Sequence, residues 1–159
     1  MSKFKLICKN KKAYFNYEFL KNYIAGIVLT GTEIKSIRLN KCSLVDSYCY
    51  INNNEIWLKN SYVAEYQNKG YVNHEERRDR KLLLNKSEIL KLKKDVETPG
   101  LTIIPIKMFI NEQGLCKLEI ALCKGKKEYD KRETLKTKDA KREIEKIIKN
   151  YKWKLLKRK

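Results

Sequence analysis

The 159-residue sequence has about half as many acidic as basic side chains, little glycine or proline, and no long apolar run. Its longest apolar runs, at 24–29 and 101–106, are far shorter than the ~20 residues that cross a bilayer, so we expect no membrane span. The N-terminus lacks the apolar segment of a secretory signal, and this favours a cytoplasmic protein. A hydrophobic content of 42% nevertheless excludes a wholly disordered chain and predicts a core.

Catalytic and metal-binding motifs are also scarce. The sequence has no P-loop, dinucleotide-binding glycine pattern, G-x-S-x-G or H-E-x-x-H motif. Its single histidine, His74, lies in a polar stretch, where a hydrogen-bonded surface residue is expected. We therefore predict a binding module without enzymatic activity, cofactor, metal or small-molecule substrate.

The cysteines give no sign of a disulfide framework or a zinc site, because they are odd in number and show no C-x-x-C spacing. We expect them to be small buried hydrophobic residues. They are Cys8, Cys42, Cys49, Cys116 and Cys123.

Positive charge is abundant and uneven. The chain has 37 Lys and Arg against 19 Asp and Glu, for a net charge of +18. Residues 124–159 carry +10 of this excess, and the first twelve residues contain five lysines and no acid. Such cationic ends favour nucleic-acid binding through phosphates. A membrane surface, an acidic partner or solubilising lysines remain alternatives.

The apolar patterning predicts mainly strands, interrupted by turn-forming residues. The predicted strands are 14–20, 24–30, 44–51, 55–58, 101–110 and 115–123. Helices are predicted at 33–39, after the cap Thr32, and at 86–96, where Asn85 and Glu88 have capping-box spacing. The polar segment 59–80 is left unassigned.

Six short strands with a helix before the last two predict an antiparallel β-barrel of the oligonucleotide-binding type. We expect this domain to span 1–127 and a basic tail to span 128–159. The tail places apolar residues on one helical face between lysines. Since these lysines repel one another, we expect the tail to be disordered alone and helical against an anionic partner; a helix packed permanently on the barrel is the alternative.

Several segments, in the same order, resemble the SsrA-binding protein (small protein B) family over about 10–143. These segments are AGIVLTGTEIKS at 25–36, DSY at 46–48, RKLLL at 80–84, PGLTIIP at 99–105, KGKK at 124–127 and YDKR at 129–132. The resemblance implies an adaptor that binds the tRNA-like part of transfer-messenger RNA and brings it to stalled ribosomes. It also implies that the tail enters the messenger channel of the small subunit near the decoding centre.

The resemblance further implies the roles of particular residues. RNA contacts are expected at Leu83, Asn85, Gly125, Lys126 and Lys127, and ribosome contacts in the tail at Asp130, Lys131, Arg132, Lys152, Trp153 and Lys154. Leu83 as a core residue, Asn85 purely as a helix cap and Gly125 as a simple turn remain alternatives. Two positions depart from the family pattern: Ile24 replaces a usual Glu, and Glu76 replaces a common Pro.

The residues leave three further possibilities open. Strand tyrosines can stack on bases or pack in the core; the candidates are Tyr14, Tyr17, Tyr48 and Tyr50. A general single-stranded nucleic-acid or ribosome-associated protein of the same fold is the alternative function. A nuclease using Glu33, Asp46 and His74 with a divalent ion is a third hypothesis.

Overall fold

The computed structural model describes residues 4–67 and 72–157 and divides the chain into two compact units, Met1–Gly125 and Lys126–Lys159. The first unit is mainly β, with short helices. Its strands are β1 (Lys5–Lys9), β2 (Tyr17–Ile27), β3 (Cys42–Ser43), β4 (Tyr48–Asn52), β5 (Glu55–Lys59), β6 (Tyr62–Val63), β7 (Arg80–Leu83), β8 (Leu101–Ile110) and β9 (Cys116–Gly125). Its helices are α1 (Lys11–Asn16), α2 (Gly31–Arg38) and α3 (Lys86–Val96).

Seven strands form one antiparallel sheet in the order β1-β8-β4-β5-β7-β2-β9. Strand β8 also pairs with β9, while β3 and β6 form a separate two-stranded ladder. The pairings therefore run in a cycle through β8, β4, β5, β7, β2 and β9. The core lies along alternate residues of these strands and is covered by Leu92 of α3 and Ile37 of α2.

The strongest sequence patterns agree with the structure. Strand β8 has the predicted bounds 101–110, and α3 has the predicted bounds 86–96. Strand β5 is one residue longer than predicted, and β9 is shifted by one to two residues. Helix α2 starts earlier than expected, because Thr30 rather than Thr32 caps it and Glu33 completes the capping box.

Other parts of the strand prediction are wrong. The two strands predicted at 14–20 and 24–30 are one strand, β2, which runs through the polar pair Lys21-Asn22 because it pairs along its length with β9. Tyr14 lies in α1 instead, capped by the Asn10 side chain. The predicted strand 44–51 begins only at Tyr48, after a turn in which Asp46 has φ 60°.

The elements that the sequence did not reveal are short or polar. They are β1, α1, β3, β6 and β7. Strands β6 and β7 lie in or at the end of the unassigned segment 59–80, of which 68–71 is outside the described residues. Strand β7 alternates buried Arg80 and Leu82 with less buried Lys81 and Leu83. Because a charged residue occupies one of the buried positions, the sequence shows no alternation of apolar and polar residues here.

The expectation for the cysteines is correct for three of the five. Cys49, Cys116 and Cys123 are buried, whereas Cys8 and Cys42 are only half-buried. Burial raises the pKa of the Cys116 and Cys123 thiols to about 12. The two half-buried cysteines lie in β1 and β3, which the sequence pattern did not predict.

A buried ion pair joins α2 to β7. The Glu33 carboxylate is fully buried and accepts hydrogen bonds from the Nε atoms of Arg78 (2.9 Å) and Arg80, and from the backbone N–H of Thr30 (3.0 Å). Burial opposes ionisation of Glu33, but the hydrogen bonds from Arg78, Thr30 and Arg80 outweigh it and lower its pKa. The carboxylate is therefore the anchor for both arginines.

Arg80 extends this network into the segment before β7. Its side chain is fully buried, and its Nη1 donates to the Ser61 carbonyl (3.0 Å) and hydroxyl (2.9 Å) oxygens. Its Nη2 donates to the carbonyl oxygen of Glu76 at 3.2 Å. The backbone at Glu76, where the family often has Pro, is thus fixed by an arginine and by the N–H of Val63 (2.9 Å).

His74 is buried, which corrects its expected surface position. Its Nδ1 lies 2.9 Å from the Thr32 hydroxyl, and its Nε2 donates to the carbonyl oxygen of Val63 at 3.0 Å. Both ring nitrogens are therefore hydrogen-bonded, and the imidazole connects α2 to β6.

The second unit contains α4 (Glu128–Lys157), a helix of 30 residues without a buried side chain. Residues 128–145 contain six basic and six acidic residues, whereas 146–159 contain seven basic residues and no acid. Acids in the first turn and lysines in the last turn complement the helix dipole. No helix in the described parts of the chain is long and apolar enough to cross a membrane.

We predict that Glu33→Gln lowers the free energy of unfolding by about 3–5 kcal/mol at neutral pH, because it leaves Arg80 buried without its counter-charge. Urea unfolding measures this change. The lowered pKa means that the carboxylate stabilises the fold above the ordinary Glu range and stops doing so as pH falls through the folded-state value. The difference in unfolding free energy between the wild type and the variant should therefore become smaller in acid.

Glu18→Gln is the control for this measurement, because Glu18 lies exposed on β2. It should change the unfolding free energy by less than about 0.5 kcal/mol. Equal effects of the two substitutions would contradict the anchoring role of Glu33.

Candidate nucleic-acid interface

Leu83 ends β7 on the surface, next to buried Leu82. Its side chain is 54% exposed, whereas that of Leu82 is 1% exposed, so the alternative that Leu83 is a core residue is wrong. Leu83 is paired with Gly26 of β2, and a Cβ on Gly26 would lie 3.3 Å from the Leu83 Cβ. The glycine thus lets β7 present a large apolar side chain beside β2.

Asn85 follows two residues later, as the N-cap of α3. Its backbone N–H donates to Glu88 Oε2 (3.1 Å), and its carbonyl oxygen accepts from the Ile89 N–H (3.1 Å). The residue itself is exposed. The backbone at Asn85 is therefore fixed by the helix it caps, next to the exposed Leu83.

Gly125 is the last residue of β9 and is paired with Tyr17, the first residue of β2. A Cβ added at Gly125 would meet no atom within 4 Å, and its φ is not in the left-handed region. Packing within the chain therefore does not require glycine here.

A polar cavity of about 300 Å³ lies in the same region of the sheet, since Tyr17 lines it. Its other lining residues include Tyr48, Thr102 and Lys12. Tyr48 is 40% exposed, and Thr102 is paired with Cys123 near the end of β9. Exposed lysine and tyrosine side chains at a concave surface suit contacts with phosphates and bases.

The structure places Leu83 and Asn85 far from Gly125. Leu83 is paired with Gly26 near the end of β2, and Gly125 with Tyr17 at its start. Nine residues separate the two positions of β2, or roughly 30 Å of extended strand. An RNA that contacts both places must extend along this strand.

The tyrosine candidates have different surroundings. The Tyr14 ring is in edge contact with Phe19 (5.0 Å between centroids), with Lys9 Nζ 4.6 Å from its centroid. The Tyr50 hydroxyl donates to Asp79 at 2.7 Å, and this hydrogen bond raises its pKa. Tyr17 and Tyr48 at the polar cavity are better placed to meet a base.

Ile24, where the family usually has Glu, is 53% exposed on β2. It is paired with Glu119, whose carboxylate accepts from Asn22 (2.9 Å) and lies 3.0 Å from Lys107. Ile24 also lines a cavity of about 540 Å³ with Phe4 and Phe109. The substitution thus replaces a charge by an apolar surface.

The remaining predicted contacts lie in the second unit. Lys126 Nζ donates to Thr134 Oγ1 at 3.1 Å, and the carbonyl oxygen of Lys127 accepts from the Lys131 N–H at 3.1 Å. The other tail candidates lie in the first turns of α4 (Asp130, Lys131, Arg132) and near its end (Lys152, Trp153, Lys154). Trp153 is 58% exposed, with Lys157 Nζ 4.0 Å from its centroid.

The structure does not support the nuclease hypothesis, because its three residues have other partners. Glu33 is paired with two arginines, Arg78 and Arg80. His74 is hydrogen-bonded to Thr32 and Val63. Asp46 is exposed, with its Oδ1 3.6 Å from Lys12 Nζ. Within residues 4–67 and 72–157, no group of three or more His, Cys, Asp or Glu side chains is placed to hold a metal ion.

Comparison with known proteins identifies the family of this chain. The model of the SmpB protein family matches residues 7–150. This chain belongs to the SmpB family. It is 60% identical over 141 residues to the SsrA-binding protein of Phocaeicola vulgatus, a match that covers 89% of this chain and 94% of that one. It is 57% identical to the SsrA-binding protein of Bacteroides thetaiotaomicron, again with 89% and 94% covered.

A solved structure described as "tmRNA-SmpB: a journey to the center of the bacterial ribosome" has a TM-score of 0.65 and 42% identity to this SmpB family chain. The match covers 76% of this chain and 85% of that one. The shared fold therefore extends over most of the described residues.

Sequence reasoning missed the roles of Arg78 and Arg80, which anchor the start of the strand that ends at Leu83. Both lie just before Leu82 and Leu83, and both bond the Glu33 carboxylate. The available signal was the spacing of Arg80 and Leu82, which are two residues apart and therefore lie on the same face of a strand.

We predict opposite outcomes for two alanine substitutions of glycine. Gly125→Ala should change the unfolding free energy by less than about 0.5 kcal/mol, because the added methyl group meets no neighbour. Gly26→Ala should lower it by about 1 kcal/mol or more, because the methyl group presses on Leu83. Urea unfolding of the two variants checks this, and equal losses would contradict the difference in packing.

Proposed function

We propose that the protein binds the tRNA-like domain of transfer-messenger RNA (SsrA RNA) and delivers it to stalled ribosomes in the cytoplasm for rescue and peptide tagging. The observation that carries the proposal is the 60% identity, over 89% of the chain, to an SsrA-binding protein. The matched solved structure, described with transfer-messenger RNA and the ribosome, supports the same partners. The protein acts as an adaptor and not as an enzyme.

We further propose that the sheet is an oligonucleotide-binding barrel. The support is the cycle of pairings through six strands, which leaves β1 as an extension beyond β8. Such a barrel binds nucleic acid on one strand face and the loops beside it. Leu83 and Gly125 are the last residues of two of its strands.

The RNA-binding residues in this proposal are Leu83, Asn85, Gly125, Lys126 and Lys127. Exposed Leu83 offers an apolar contact for a base or sugar, and the Asn85 amide offers hydrogen bonds to an RNA edge. Because Gly125 has no packing role, close approach of the RNA backbone explains a glycine there. The roughly 30 Å between these places favours a folded RNA over a short single strand.

The tail in this proposal contacts the ribosome. Residues 146–159 include seven basic residues and no acid, so this stretch suits a channel walled by phosphates. The proposed contacts are Asp130, Lys131 and Arg132 at the start of α4 and Lys152, Trp153 and Lys154 near its end.

We predict that Leu83→Ala and Asn85→Ser each weaken binding to the tRNA-like domain roughly tenfold, as the loss of one contact implies. Serine keeps a helix-capping hydroxyl at position 85, so α3 should be retained. Gly125→Ala should weaken binding without a change in stability. Filter binding at two salt concentrations, with excess poly-uridine as competitor, measures these effects.

Two controls match these substitutions in chemistry. Leu90 on α3 is 57% exposed, and Gly31 has no atom near its Cβ position, so Leu90→Ala and Gly31→Ala should bind normally. Equal losses in the controls would argue against the assigned residues. Displacement of the RNA by poly-uridine would instead identify a general single-strand binder.

Truncation after Lys127 separates the two proposed activities. The shortened chain retains the whole first unit, so it should bind transfer-messenger RNA with nearly unchanged affinity. Peptide tagging in a stalled-ribosome assay should be lost, because the cationic helix is missing. Loss of both activities together would contradict this division, and restoration by the full-length chain is the control.

A further inference from the structure

Two half-buried cysteines, neither of them assigned to RNA binding, face each other in the first unit. Cys8 lies on β1 and Cys42 begins β3, and their Sγ atoms are 3.5 Å apart in a thiol–thiol hydrogen bond. They are separated by 34 positions in the sequence, so the fold alone brings them together. A disulfide requires the sulfur atoms to approach by only about 1.5 Å further.

The two thiols have different electrostatic surroundings. The hydrogen bond to Cys8 and the charge of Arg80 lower the pKa of Cys42, against the effect of burial. The hydrogen bond to Cys42, burial and the charge on Cys42 raise the pKa of Cys8. Cys42 is therefore the thiol that ionises first, and the Cys42 thiolate then accepts a hydrogen bond from the Cys8 S–H.

Redox chemistry suits this pair better than metal binding. The described residues contain no group of three or more potential ligands in a metal-binding arrangement, although Cys116 is close enough to raise the pKa of Cys8 electrostatically. Cys116 is itself buried, and burial raises its pKa to about 12. A small oxidant thus finds one activated thiol, Cys42, and one resolving thiol in contact with it.

We propose that Cys8 and Cys42 are a reversible oxidation site that forms an intramolecular disulfide on reaction with a hydroperoxide. The Cys42 thiolate attacks the terminal oxygen of the hydroperoxide and the O–O bond breaks. The other oxygen leaves as alkoxide, or as hydroxide from hydrogen peroxide, and Cys42 becomes a sulfenic acid. The Cys8 sulfur then attacks the Cys42 sulfur, the S–O bond breaks, and the Cys8 proton combines with the hydroxide released. With hydrogen peroxide, two thiols are oxidised and two water molecules form.

Oxidation of Cys42 favours the subsequent attack by Cys8. Conversion of the Cys42 thiolate to a neutral sulfenic acid removes the negative charge that helps to raise the pKa of Cys8. Cys8 then ionises more readily and attacks. The resulting bond closes a loop over residues 8–42, which contains α1, β2 and α2, and so restricts the unfolded chain.

Peptide mapping of the full-length protein tests this site. The reduced protein is treated with one equivalent of hydrogen peroxide, its free thiols are alkylated, and it is digested with trypsin and chymotrypsin. Chymotrypsin is needed because the tryptic peptide 42–59 also contains Cys49, and cleavage after Tyr48 separates the two cysteines. We expect a Cys8–Cys42 linked peptide as the main product, reversal by a thiol reductant, and a melting temperature several degrees above that of the reduced protein.

Serine variants assign the order of events. Cys8→Ser should accumulate a sulfenic acid on Cys42 that dimedone labels, whereas Cys42→Ser should leave Cys8 reduced at the same peroxide dose. A link between Cys42 and Cys116, a bond between two chains, or no oxidation of Cys42 would overturn the proposal. The map of the wild-type protein decides the question even if a serine variant fails to fold.

Discussion

The Glu33 carboxylate, buried between two arginines, is the interaction on which the arrangement of the first unit depends. It caps α2 through the backbone of Thr30 and holds Arg78 and Arg80 at the start of β7. Arg80 then bonds the backbone carbonyl oxygens of Ser61 and Glu76. Because an unpaired charge in this position is costly, the helix, the segment 75–78 and β7 must form together. Leu83 ends the strand that this polar junction anchors, and Asn85 follows two residues later.

The two units use opposite physical strategies. The first buries a continuous apolar core and places a few exposed side chains on rigid strand and helix ends. The second buries no side chain of its helix and offers mainly charge. A folded RNA recognised by shape requires the first kind of surface, whereas a phosphate-lined channel requires only the second. The uneven distribution of charge along the sequence reflects this difference between the two units.

Sequence patterns predicted the elements whose stability comes from apolar periodicity. Strand β8, with a long apolar run, and α3, with its capping box, were found with correct bounds. Strand β2 was split because polar residues interrupt it, and β7 was missed because a buried arginine occupies a core position. Of the proposed site, the family resemblance supplied the residues, but it could not show that Leu83 and Gly125 lie near opposite ends of β2. Long-range pairing determines that separation, and local sequence does not encode it.

The charge distribution along α4 has a mechanical consequence. Its first 18 residues are electrically balanced and occupy about 27 Å of helix axis, so they act as a neutral spacer. The cations that follow are held at a fixed distance and angular phase from the start of the helix. One additional helical turn in the spacer would displace them by about 5.4 Å without altering the net charge. The position of the cations and their number are thus specified by different stretches of the same helix.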